Sequence, residues 1–255
     1  MRHLALFTLL SSSLLANAAD APACRSRSAT STGHQTALLE LYTSEGCNSC
    51  PPTENWVNGL KAAGFGATQL VPVAFHVDYW DYLGWKDRFA QAAFTQRQQD
   101  RVAKTHGRFV YTPEVMLNGK EWQNGTDALR AALAAPATSS ATIQAHTDPI
   151  PSGLRLALTV DRKAPHPDDA VYIALVEDKL TSHVAAGENA GATLLHNAVV
   201  RKLFGPFGFK DKPQLAQSVD IPFASNQIPQ NSSIAIWVED GQSGRVIQAL
   251  SVDCS

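Results

Sequence analysis

Beyond its first twenty residues this chain has no apolar run long enough to cross a bilayer. It also lacks a basic excess: 21 Lys and Arg face 23 Asp and Glu, a formal net charge of -2, which argues against a nucleic-acid surface or a polybasic membrane patch. Methionine is scarce too, and the two present leave only Met116 after the N-terminal region, so a methionine-rich copper site is excluded. The eight histidines show no ligand spacing, and no second cysteine pair accompanies the first, which counts against a zinc site. Internal repeats and low-complexity tracts are absent. What remains is a chain of 255 residues, 44% apolar, able to bury a full core as one large or two modest domains.

The first residues, MRHLALFTLLSSSLLANAAD, combine Arg2 and His3, an apolar stretch and Ala16-Asn17-Ala18 as a small-x-small cleavage site. They read as a secretory signal peptide over residues 1–18, and the Ser11–Ser13 interruption speaks against a spanning anchor. Export places the mature chain in an oxidising compartment, periplasmic or secreted.

Four cysteines allow three pairings. Cys47 and Cys50 are local partners in YTSEGCNSCPP, which leaves Cys24 for Cys254 as a structural bond between distant segments. Lipidation of Cys24 is the competing idea, but APAC lacks the usual leucine and would strand Cys254.

Residues 19–35 read as an extended lead-in. ALLELYT then predicts a buried strand, ENWVNGLKAA a helix with Trp56, Val57 and Leu60 on one face, and TQLVPVAFHVD a second strand. VYTPEVMLNGKEW predicts a third strand turning at Asn118-Gly119. PATSSA, residues 136–141, reads as a linker. Beyond it, GLRLALTVD, AVYIALVED, SSIAIWVED and GRVIQALSVD alternate with period two, the pattern of an antiparallel β-sandwich.

A cysteine at a helix N-terminus feels unpaired N–H groups that favour thiolate, so Cys47 is the expected nucleophile and Cys50, one turn deeper, the resolving thiol. Pro51 and Pro52 fit a helix only in its first turn and disfavour helical torsions in the residue before, which delays regular helix until after Cys50. Thr112-Pro113 at the head of a strand is an unusual place for proline and points to a cis bond.

In order, ELYTSEGCNSCPP, FHVDYWDYLGWKD and VYTPEVMLNG resemble a secreted thioredoxin-like family catalogued as a domain of unknown function, number twelve-twenty-three. The resemblance spans about residues 36–255 and includes GENAGATLLHNAVVR. It implies an α/β thioredoxin-like domain over 36–137 with a helical, aromatic insertion, followed by a β-sandwich domain over 142–255. It also implies Pro113 as a cis-proline beside the dithiol and Thr112 as the residue offering backbone to an extended substrate. Gly46 stands where a tryptophan often precedes the dithiol. The expected buried carboxylate falls at Leu41, with Glu40 one residue away as the candidate base.

The insertion, Tyr79 to Arg108, carries Tyr79, Trp80, Tyr82 and Trp85, then a helix expected to turn Phe89 and Phe94 inward and Arg97, Arg101 and Lys104 elsewhere. Its aromatics either wall a ligand groove over Cys47, with Trp80 and Trp85 foremost, or cap the sheet. His76 and Asp78 share a face by alternation and form a candidate pair near the site. His196 is expected in an interdomain hydrogen bond.

The function expected is an exported thiol–disulfide oxidoreductase acting through CNSC on a protein or small thiol substrate with an unknown redox partner, without cofactor, metal, nucleic acid or stable membrane insertion. The alternative is a binding or adaptor protein, holding Cu(I) between the thiolates in one version and free of redox catalysis.

Overall fold

The structure, a computed structural model, describes residues 24–254, so the expected signal peptide lies outside the described residues. The first half contains β1 (Arg27–Thr30), β2 (Ala37–Thr43), α1 (Cys50–Gly59), β3 (Leu70–His76), α2 (Ala92–Lys104), β4 (Glu114–Leu117), β5 (Lys120–Glu121) and α3 (Thr126–Leu133). The second half is all strand: β6 (Ala141–Ile150), β7 (Gly153–Arg162), β8 (Ala170–Glu177), β9 (Leu180–His183), β10 (Thr193–His196), β11 (Val199–Gly208), β12 (Gln214–Pro222), β13 (Ser232–Glu239) and β14 (Val246–Asp253), apart from a short 3-10 turn at Pro229–Asn231.

Eight of these strands form one mixed sheet in the order β14-β13-β8-β11-β3-β2-β4-β5. A second sheet, β1-β6-β7-β12, stacks on its C-terminal end, and β9 and β10 make a separate hairpin. This corrects the expected architecture. The chain is not an α/β thioredoxin-like domain with a helical insertion followed by a separate sandwich: strands dominate, and the sheet runs unbroken through both halves. The join is between β11 and β3, parallel through Val199 and Ala74, with Ala74 N–H donating to Ala198 at 2.6 Å. Period-two alternation identifies strands but carries no information about which distant strand each one meets.

Burial follows from this join. In β8 and β13, Val171, Ile173, Ile234, Ile236 and Val238 face the stacked sheet, while Ala174, Ala235 and Trp237 face α2. Strands covered on both sides need apolar residues throughout, whereas β6 and β7, open on one side, alternate buried with exposed residues. The opposite face of β2 packs Leu39 and Leu41 on Val57 and Leu60 after the α1 turn and on Leu129 of α3.

Helix α2 departs most from expectation. It starts at Ala92, leaving Phe89 outside it, and Arg97 and Arg101 turn inward with 6% and 3% exposure. They meet Glu40 of β2 and Glu239 of β13: Arg97 Nη2 is 2.7 Å from Glu40, and Arg101 is 3.1 Å from Glu40 and 3.2 Å from Glu239. Helix periodicity places apolar residues well, but it cannot see carboxylates waiting under a polar face.

Candidate functional site

The chain leaves β2 at Thr43 and reaches α1 through Ser44–Ser49. Regular helix begins at Cys50, with Pro51 and Pro52 in its first turn, as their missing N–H groups require. Cys47 therefore sits ahead of the helix rather than within it, tied by its N–H to Ser44 at 3.1 Å and by its carbonyl to the Cys50 N–H at 3.2 Å. Cys47 and Cys50 are joined by a disulfide with Cα atoms 5.5 Å apart, and Cys24 is joined to Cys254 across 230 residues. Gly46 has a local reason: a Cβ there would stand 3.1 Å from Trp80 Cβ, leaving no room for a larger residue.

Both residues of the short disulfide are fully buried. Their cover comes from the loop between β9 and β10, a segment sequence reasoning did not assign to the site. Asn189 Nδ2 donates to the carbonyls of Glu45, at 2.8 Å, and Cys47, at 3.0 Å, while Glu188 accepts the Asn48 N–H at 3.1 Å. Gly187, at φ 75°, lets this loop lie against Trp85.

The Thr112-Pro113 bond is cis. Thr112 accepts the Trp80 indole N–H at 2.7 Å, and Pro113 joins Pro52, Trp56, Tyr111 and Trp122 around an open groove of about 390 Å³. Of the aromatic run, Trp80 and Trp85 are bonded into the site's frame and Tyr82 is 79% exposed. Glu40 belongs elsewhere: it lies on the α2 face of β2, held by two arginines and by the Tyr42 hydroxyl at 3.1 Å, and α1 packs on the other face. It has no free oxygen with which to serve the dithiol.

His76 does not pair with Asp78. Asp78 accepts the Thr95 hydroxyl of α2, and His76 Nδ1 lies 2.6 Å from Asp87 Oδ2. Asp87 also accepts the Glu45 N–H at 2.9 Å. His196 stands edge to face with His76, ring centres 5.2 Å apart, its Nδ1 2.9 Å from Glu54 and its Nε2 3.3 Å from Glu45. Glu54 takes a further bond from Thr43, and Glu45 one from the Trp85 indole at 2.7 Å. Burial opposes protonation of His196, but bonds and charges from Glu45 and Glu54 overcome it and lift its pKa to about 9. Burial likewise resists ionisation of Glu54 and Asp87, yet the facing imidazoles hold both below the usual carboxylate range.

Sequence reasoning missed Glu45, Glu54 and Asp87. A signal existed for one: Glu54 follows Cys50 by four residues, one helical turn, on an otherwise apolar face.

The family described as Protein of unknown function (DUF1223) matches residues 38–239. The chain belongs to that family. Of the DUF1223 segment, only the edges of the fold fall outside the match, so its bounds take in the disulfide, the buried imidazoles and the arginine cluster alike. No curated protein matches. Among solved structures, protein AGR_C_4864 from Agrobacterium tumefaciens is 20% identical, with a TM-score of 0.62 over 88% of this chain and 97% of that one. HBP35 of Porphyromonas gingivalis is 11% identical, with a TM-score of 0.67 over 88% and 76%. At such identities the likeness is one of fold.

Proposed function

We propose that this protein is an exported thiol–disulfide exchange protein working through Cys47 and Cys50. The observation that supports it most is the bonded C-x-x-C pair at the start of α1, next to an open groove lined by Pro52, Trp56, Pro113 and Trp122. The leader-like N-terminal sequence and the two disulfides support export to an oxidising compartment.

In the exchange, a substrate thiolate attacks Cys47 Sγ, the Cys47–Cys50 bond breaks, and Cys50 leaves as a thiolate that takes up a proton. A second substrate thiolate then attacks the mixed disulfide and releases Cys47. The substrate loses two electrons to the protein; reduced protein acting on a disulfide runs the steps in reverse. Both cysteines are covered, so the Glu188–Asn189 loop must lift first.

Insulin reduction or refolding of a scrambled disulfide substrate by wild type and Cys47→Ser tests the proposal. Turnover by wild type and loss in the variant is expected; equal rates would remove it. The full burial of both cysteines favours a second reading, a structural staple. A bond that stays closed in strongly reducing glutathione buffer, even after Asn189→Ala, establishes that reading instead.

A further inference from the structure

Next to the disulfide lies a buried group that exchange chemistry does not use. We propose that His76, His196 and Glu54 bind one divalent cation of the zinc class, with Asp87 and Glu45 orienting the two imidazoles. The inference does not depend on the exchange reading.

One ligand atom from each of Glu54, His76 and His196 lies within 4.8 Å of the other two. The three residues are 5%, 1% and 2% exposed. His76 directs Nδ1 at Asp87 and keeps Nε2 buried with no hydrogen-bond partner, while His196 sets Nδ1 2.9 Å from Glu54 and Nε2 3.3 Å from Glu45. Histidines that bind metals show this division: one nitrogen is oriented by a carboxylate, here Asp87 on His76 and Glu45 on His196, and the other faces the ion.

Charge points the same way. Glu45, Glu54 and Asp87 bury three carboxylates together, and their ion-pair partners are the two imidazoles alone among the described residues, with no lysine or arginine. Buried charge short of full compensation is costly, and a dication that takes the place of the imidazole proton offsets it. Two nitrogens with carboxylate oxygens suit zinc; calcium prefers more oxygens, and Cu(I) prefers sulfur. The cysteines are bonded to each other and stand outside the set. The β9–β10 loop that covers Cys47 runs into the strand ending at His196, so lifting that loop also opens a route to the cation.

The test uses the full chain with both disulfides intact, stripped by a chelator and titrated with Co²⁺ as an optical stand-in for Zn²⁺. The expected result is one equivalent bound, with the intense visible bands of a four-coordinate ion, no sulfur-to-metal charge-transfer band, and displacement by Zn²⁺. His76→Gln and His196→Gln, shown to be folded by circular dichroism, should each weaken binding at least tenfold. Asp87→Asn, which touches only the far nitrogen of His76, should weaken it about 10–100-fold. No uptake by folded wild type overturns the proposal, as does undiminished binding in both histidine variants. A sulfur charge-transfer band overturns it too, by moving the ion to the cysteines. Should the histidine variants fail to fold, the wild-type spectrum, stoichiometry and Zn²⁺-induced rise in Tm decide alone.

Discussion

Two buried charge clusters flank this sheet, and they are built differently. In the first, Arg97 and Arg101 face Glu40 and Glu239, two full positive charges against two negative, with Tyr42 and Trp237 adding hydrogen bonds. In the second, three carboxylates share two imidazoles, Glu45 facing His196 at 3.3 Å, and His76 Nε2 is buried without a hydrogen bond, as Arg101 Nε is in the first. Burial opposes charge in both. In the first, carboxylates hold Arg97 well above its usual range and the arginines hold Glu239 below its own. Arginine stays charged at any pH a protein meets, so that cluster is permanent; imidazoles can trade a proton for something else. One cluster fastens α2 to the sheet, and the other holds capacity in reserve.

The sharpest way to break the contrast is to remove one partner of the permanent cluster. Arg97→Met leaves Glu40 and Glu239 short of their main counter-charge in the interior, and a loss of about 3–5 kcal/mol is expected in chemical denaturation. A loss below about 1 kcal/mol would mean that water or Arg101 takes over and the cluster is not a fastening.

An intermediate effect is expected at Glu114 on β4. Burial, followed by the charges of Glu121 and Glu40, lifts its pKa from 4.5 to about 7 despite the bond from Gln98. The folded chain therefore holds this proton more tightly than the unfolded chain, and stability from this group declines as pH rises from about 4.5 to about 7. Glu114→Gln should raise stability above pH 7, on the order of 2 kcal/mol, and change little below pH 4.5. Thermal melts across pH check this; a constant difference at every pH would trace the effect to packing instead.

The smallest effect on stability belongs at the second cluster's cover. Asn189→Ala removes two bonds to the Glu45 and Cys47 carbonyls and should cost about 1 kcal/mol. The rate of Cys47–Cys50 reduction by dithiothreitol should rise severalfold. An unchanged rate would show that the loop is not what guards the disulfide.

Much of this was legible in the chain. Apolar runs marked β2 and β3, and period-two alternation marked β8 and β13; the two prolines placed the start of α1 one residue late, after Cys50; and Asn118-Gly119 made the turn between β4 and β5 with both residues at positive φ. Local chemistry decides each of these. What escaped depends on distant partners. Glu40 reads as a strand carboxylate until Arg97, 57 residues on, folds over it. His196 reads as a hydrogen-bonding residue of unnamed partner until β10 brings it to His76. Spacing along the chain carries no trace of such meetings, so the architecture and the second cluster needed the fold itself.

The bond between Cys24 and Cys254 makes residues 24–254 a closed ring of covalent bonds. A protease that cuts once in a surface loop opens the ring without producing a second fragment. Such a nicked chain stays a single covalent molecule until the bond is reduced.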